Sequence, residues 1–198
     1  MKKHAPATER NREAILAVLR EELPPSGTVL EIAAGSGEHA VFFAQALLDN
    51  DWLPTDPSQE ALASIAAYAG EAQLPNLQAP LELDAASHDW PVTEAAAIVC
   101  INMVHISPWA ATIGLMEGAA RILSGKNAPL ILYGPYFEQR AEPAPSNLDF
   151  DLSLRSRNPE WGIRNAEKLD SLAQRHGMHR SARHEMPANN LMLVYRAR

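Results

Sequence analysis

Three features of the sequence predict an α/β sandwich with helices on both faces of a mostly parallel sheet. Strand-length apolar runs alternate with helix-spaced segments from residue 8 to residue 133. Residues 96–102 form a continuous apolar run, as in a central parallel strand buried on both faces. The chain closes on two strand-like segments joined by Pro187-Ala-Asn-Asn190, which is turn chemistry.

The elements follow in order. Residues 1–7 read as a loose arm. Over residues 8–22, Ile15, Leu16, Val18 and Leu19 recur at helical spacing, and Pro24-Pro-Ser-Gly27 ends the helix. A strand over 28–33 leads into a small-residue turn and a helix to about 48. A short strand over 52–56 follows, weakened by Pro54, which lacks a ladder donor. Pro57 suits a first helical position with Asp56 as N-cap, giving a helix over 57–69. A third strand falls within 77–83 and ends at Asp84; a loop covers 85–91. The apolar run at 96–102 is the fourth strand, 108–123 a helix and 129–133 the fifth strand. Residues 134–164, carrying four prolines, read as a long excursion of the kind that is often functional. Within it, 147–154 fits a short helix or an alternating strand, and the helix is preferred. A helix over 166–176 with Gly177 as its C-cap and a hairpin of 178–186 and 191–196 finish the chain.

Composition narrows the function. The chain has 198 residues, of which 46% are hydrophobic and 21% charged, enough for a real core. A net charge of −7 without a basic block disfavours bulk attachment to nucleic acid or an anionic membrane. The N-terminus lacks the apolar stretch of a signal peptide, no membrane span is expected, and the expected location is the cytoplasm. Cys100, the single cysteine, sits in an apolar run and is expected to be buried and inert. Histidine and cysteine spacings suggest no metal site.

The chemistry gathers at strand ends, which in a parallel sheet share one edge. The turn Glu31-Ile-Ala-Ala-Gly-Ser-Gly37 offers backbone N–H groups at a helix start, with Ala33, Gly35, Ser36 and Gly37 small enough for close approach. Asp56 follows Gly37 by nineteen residues and can accept ribose hydroxyls, or it can simply cap a helix. Asp84 or Ala85 can reach an adenine edge, and Asn102 ends the fourth strand. Glu31 lies too early for a ribose and can meet a cation or the turn's own amides. Gly35-x-Gly37-x-x-Ala40 also fits a dinucleotide pattern, leaving a nicotinamide-dependent oxidoreductase as a rival. The acid before the turn, the absence of a glycine triad and the closing hairpin argue against it.

These residues resemble the cofactor motifs of class I S-adenosylmethionine-dependent methyltransferases. Glu9-Arg-Asn-Arg-Glu13, Asn102-Met-Val-His-Ile-Ser-Pro-Trp109, Tyr133-Gly-Pro-Tyr136, Asn158-Pro-Glu-Trp-Gly-Ile-Arg164 and Met186-Pro-Ala-Asn-Asn-Leu191 resemble more closely the methyltransferase-like protein 26 family and its bacterial relatives. The resemblance implies a Rossmann-like methyltransferase sandwich in one domain over 1–198. It implies a seven-stranded, mostly parallel sheet with an antiparallel C-terminal hairpin, and S-adenosylmethionine as cofactor. Ala33 departs from the pattern, standing where the usual turn begins with glycine. His105 is the candidate general base, with a core histidine as the alternative. Arg12, Tyr136, Asn147 and Arg157 are placed on the substrate side; Trp90 and Trp109 could cover an adenine, with ordinary core or rim packing the preferred reading. A short, acidic chain favours a small-molecule acceptor. The remaining rival is a protein that holds the cofactor without transferring methyl.

Overall fold

The structure is a computed structural model and describes residues 2–197. Helix α1 (Pro6–Glu22) precedes strand β1 (Gly27–Ile32), α2 (Glu38–Ala46), β2 (Asn50–Asp56), α3 (Gln59–Ala72) and β3 (Leu81–Glu82). Strand β4 (Ala97–Ile101), a 3-10 turn (Met103–His105), α4 (Trp109–Leu123) and β5 (Pro129–Gly134) follow. The excursion contains β6 (Tyr136–Phe137), α5 (Pro145–Arg157) and β7 (Arg164–Asn165), and the chain ends with α6 (Ala166–Arg175), β8 (Met178–Met186) and β9 (Asn190–Ala197).

The main sheet has seven strands in the order β3-β2-β1-β4-β5-β9-β8, with β9 antiparallel to both neighbours. This is the expected sandwich, and no helix among the described residues is long and apolar enough to cross a membrane. Strand alternation splits the core into two layers. Leu30, Ile32, Ile98, Cys100, Leu130 and Leu132 face α4 and α6, whereas Val29, Ala97, Val99 and Ile131 face α1 and α2. Because both faces are covered, the central strands carry no polar alternation, which is why they read as unbroken apolar runs.

Several expectations are corrected. The arm is not loose over residues 2–5. Lys3 N donates to Ser64 Oγ at 2.7 Å and Ala5 N to Glu38 Oε2 at 2.7 Å, while Tyr68 OH donates to Lys3 O at 3.0 Å. Met1 lies outside the described residues. Asp56 is not the cap of α3; Ser58 is, its side chain accepting from Ala61 N. The third strand shrinks to Leu81–Glu82 plus an isolated bridge between Trp52 and Leu77. Pro54 explains this shortness. Trp52 and Asp56 bond towards β3, so Pro54 faces the same way and interrupts the ladder between those two contacts. In the excursion, residues 147–154 are helical, and the helix α5 begins earlier, on Pro145.

Candidate functional site

The turn after β1 is the most contorted backbone at this edge. Ala33, Gly35 and Gly37 have φ of 57°, 61° and 91°, the left-handed region that disfavours side chains. Gly37 is also required by packing, because a Cβ there would lie 2.8 Å from Ile65 Cα in α3. Asp56 laces the turn to the start of α3. Its Oδ2 accepts from Gly35 N at 3.0 Å and its Oδ1 from Ser58 N at 2.9 Å. Ser36 O accepts from Ser64 Oγ at 2.8 Å, tying the same turn to α3 a second time.

Glu31 meets neither a cation nor the turn's amides. Its carboxylate is 2% exposed and accepts from the Trp52 indole N–H at 2.7 Å. Burial, opposed by that bond and assisted by the charge of Asp56, raises its pKa to about 7.

Two cavities open at the carboxyl ends of β1, β3, β4 and β5. The smaller, of about 440 Å³, has a largely apolar wall: Ala33, Pro57, Ala85, Met103, Ile106 and Trp161, with Asp84 as its single acid. The larger, of about 610 Å³, is bounded by Arg10 and Asn11 of α1, Asn102, Tyr133, Asn147 and Phe150 of α5, Arg157, and the hairpin tip at Ala188 to Asn190. Ile106 lines both. Of the residues expected to hold a cofactor, Ala33, Asp84 and Ala85 line the smaller cavity and Asn102 the larger. Glu31, Gly35, Ser36, Gly37 and Asp56 line neither; they form and brace the turn that presents Ala33. Asp84 Oδ1 accepts from Ala86 N at 2.9 Å, and Asn102, at φ 62°, donates its N–H to Tyr133 O at 2.8 Å.

Of the residues expected on the substrate side, Asn147 and Arg157 line the larger cavity. Arg12 and Tyr136 do not. The Arg12 guanidinium lies over the Phe42 ring at 4.7 Å, and its helix neighbours Arg10 and Asn11 take the cavity position. Tyr136 is buried with its ring edge-on to His105, centroids 4.7 Å apart, and its hydroxyl has no partner.

His105 is not placed as a general base. It is 1% exposed, lines neither cavity, and its Nδ1 accepts from Arg164 N at 3.3 Å. Burial, then the Arg164 charge, lowers its pKa to about 3, so the ring is neutral. Trp90 packs against Gly118 in the core and Trp109 lies outside both cavities; Trp161 is the indole on the smaller one. Burial pushes the Cys100 thiol up to about 12, which removes it as a nucleophile at neutral pH.

Arg164 of the excursion fastens that segment to the end of β4. Its Nε donates to Val104 O at 2.8 Å and its Nη2 to Ser107 O at 2.7 Å. Sequence reasoning missed Trp161, which lies in Asn158-Pro-Glu-Trp-Gly-Ile-Arg164, and Asn189 and Asn190, which lie in the Met186–Leu191 segment, so position in those segments was the available signal. Their side-chain directions depend on how α5 and the hairpin pack.

A family model described as "Protein of unknown function (DUF938)" matches residues 2–197. The chain belongs to the DUF938 family. Its fold is shared with solved structures of low sequence identity. CalO1, a methyltransferase in calicheamicin biosynthesis in its SAH-bound form, superposes with a TM-score of 0.76 at 14% identity, over 94% of this chain and 54% of CalO1. NcsB1, an O-methyltransferase from neocarzinostatin biosynthesis in complex with S-adenosylmethionine and 2-hydroxy-5-methyl naphthoic acid, gives 0.78 at 15% identity, over 97% of this chain and 55% of NcsB1. YcgJ of Bacillus subtilis gives 0.70 at 14% identity, over 96% and 99% of the two chains. This DUF938 chain therefore spans about half the length of CalO1 and NcsB1 and nearly all of YcgJ, and at such identities the likeness concerns the fold.

Proposed function

We propose that this chain is an S-adenosylmethionine-dependent methyltransferase with a small-molecule acceptor, working in the cytoplasm as one domain, and that it is related to the methyltransferase-like protein 26 family. The observation that carries the reading is the pair of cavities meeting at Ile106 on the edge where the turn presents Ala33. The smaller cavity fits an adenine: Ala33, Ala85, Met103 and Trp161 offer an apolar slot, and Asp84 an acceptor for an exocyclic amine. Asp56 keeps the turn in its left-handed conformation, and each of its oxygens retains capacity for a ribose hydroxyl. The cofactor, when bound, supplies an activated sulfonium methyl.

The larger cavity is lined by no Asp, Glu, His or Lys. Its cations are Arg10 and Arg157, neither of which is ion-paired among the described residues. A site without a base suits a nucleophile that already presents a lone pair, such as a carboxylate, a thiolate or a neutral amine. The chain's part is then alignment and the holding of negative charge. Asn102, Asn147 and Tyr133 add polar groups that can orient the acceptor.

Calorimetric titration of the full chain with S-adenosylmethionine and S-adenosylhomocysteine tests the cofactor. Incubation with a pool of small carboxylic acids, thiols and amines, read by a mass gain of one methyl group, tests transfer. Binding with a methylated product is expected. Failure of both cofactors to bind at millimolar concentration overturns the reading, and tight binding without product across the pool leaves a cofactor-holding protein instead.

A further inference from the structure

A third cleft, of about 680 Å³, lies between α4, α5, β7 and α6, apart from the two cavities above. Its cations are Arg155, Arg164, Lys168 and Arg175, and none of the chain's 24 acidic residues lines it. In a protein of net charge −7 that is a local reversal of sign. Its apolar wall comes from Trp109, Ile113, Phe137 and Leu172.

Helix stabilisation accounts for only part of this arrangement. Arg155 and Arg175 stand in the last turns of α5 and α6, where cations are favoured. Arg164 and Lys168 stand at the opposite, N-terminal end of α6, where the helix dipole disfavours them. Neutralisation is also incomplete. Arg155 pairs with Asp151 at 2.7 Å, but Arg164, Lys168 and Arg175 have no carboxylate partner among the described residues. The hydrogen bonds of the Arg164 guanidinium go to the carbonyls of Val104, Ser107 and Glu160, which leave its charge in place. Burial, and next the charge of Arg155, hold Arg164 below the usual arginine range. Three cations without a carboxylate partner among the described residues thus border one cleft, a charge that an anion would balance.

We propose that this cleft is a binding site for a small organic anion, a phosphate ester or polycarboxylate with an aromatic or apolar body. The anionic group sits among Arg164, Lys168 and Arg175, and the body lies against Trp109, Ile113 and Leu172. Arg164 lies 5.6 Å from the centre of the Trp109 ring, so one residue borders both the charged and the apolar half. Because Arg164 also holds the carbonyls of Val104 and Ser107, a ligand here acts on the segment that walls the smaller cavity.

The test is calorimetric titration of the full chain with phenyl phosphate, inorganic phosphate and a short single-stranded RNA. Lys168→Glu and Arg175→Glu are titrated in parallel; both residues are exposed, and neither belongs to the cofactor or acceptor cavity. Phenyl phosphate is expected to bind more tightly than inorganic phosphate, and each variant to weaken it by about tenfold or more, with an unchanged melting temperature. The proposal is overturned if phenyl phosphate shows no binding at concentrations on the order of 10 mM, or if both variants bind it as the parent does. It is likewise overturned if inorganic phosphate binds equally well, or if the RNA binds more tightly and displaces phenyl phosphate, which would make the cleft a nucleic-acid surface.

Discussion

The indole nitrogen of Trp52 donates to Glu31 Oε2 at 2.7 Å, joining β2 to β1 beneath α2. The bond answers one lone pair of a buried carboxylate, and so it only partly offsets the loss of water. The pKa near 7 has a direct thermodynamic consequence. Between about pH 4.5 and pH 7 the folded state keeps a proton that the unfolded chain has released, so stability falls as pH rises through that window and stays lowered above it. Glu31→Gln keeps an acceptor for Trp52 and removes the charge. Its melting temperature should exceed that of the parent at pH 8, by the equivalent of about 3 kcal/mol at most, and the gap should close by pH 4. An equal gap at both values would mean that Glu31 is ionised with no penalty.

Ala33 holds φ 57° where the neighbouring left-handed positions of the turn are glycines. An alanine in that region costs about 1 kcal/mol relative to glycine, and its methyl stands on the wall of the smaller cavity. Ala33→Gly should raise stability to urea by roughly that amount. If the proposed adenine slot is right, the same variant should bind S-adenosylhomocysteine at least as tightly as the parent. Loss of stability would show that the methyl packs well enough to outweigh the strained backbone.

Asp56 accepts two backbone N–H groups, and Asp56→Ala strands both. The substitution should lower unfolding stability by about 1–3 kcal/mol and weaken S-adenosylmethionine binding, because the turn loses its brace along with any ribose contact. Asp56→Asn separates the two roles. Its amide oxygen can still accept from Gly35 N while its amide nitrogen faces the N–H of Ser58, donor to donor, so stability should recover in part and cofactor affinity less than stability. Equal recovery of both would confine Asp56 to bracing, as read by calorimetry beside thermal unfolding.

How far the sequence reached follows from where its signals are local. The layer pattern was legible because Leu30, Ile98 and Leu130 lie in runs whose length and flanks specify a buried parallel strand, whatever packs on them. Strand-end placement then brought Ala33, Asp84, Ala85 and Asn102 to one edge as topology requires. Side-chain direction was not legible. Arg10, Asn11 and Arg12 are consecutive on one helix, and their roles divide according to the rotation of α1 about its axis. Asp56 and Ser58 are both competent caps, and the choice between them rests on the tertiary bond from Gly35. His105 follows a strand end, as a base would, but the return of the chain at Gly162 to Arg164 covers it, through contacts 57–59 residues away in sequence.

His105 predicts an acid limb for stability. The folded ring resists protonation down to about pH 3, whereas the unfolded chain takes up a proton below about 6.5. Stability is therefore fully present above pH 6.5 and is lost as pH falls towards 3. His105→Phe keeps a ring beside Tyr136 and cannot titrate, so the difference in urea midpoint between pH 7.5 and pH 5 should shrink relative to the parent. Gly134 tests the packing around the same ring: a Cβ there would lie 2.5 Å from His105 Nε2. Gly134→Ala should destabilise by about 1–3 kcal/mol, and a neutral result would mean that the ring can move aside.

The roof of the larger cavity is fastened by two asparagine side chains. Asn147 Nδ2 donates to Asn189 O at 3.0 Å, and Asn189 Nδ2 donates to Ser146 Oγ at 3.2 Å, so α5 is fastened to the hairpin tip in both directions. The tip is itself strained, with Ala188 and Asn189 both at φ 57°, a conformation that suits asparagine better than alanine. A fastening made by Asn147 onto a strained turn should open readily once cut. Asn147→Ala should speed amide hydrogen exchange over α5 and residues 187–190 by about tenfold, which corresponds to one lost hydrogen bond of about 1.4 kcal/mol, while exchange in β4 and β5 stays unchanged. Because Asn147 lines the larger cavity and not the smaller, S-adenosylhomocysteine affinity should also stay unchanged. Faster exchange confined to the hairpin, with α5 still protected, would show that α5 is held by its buried Leu154 alone.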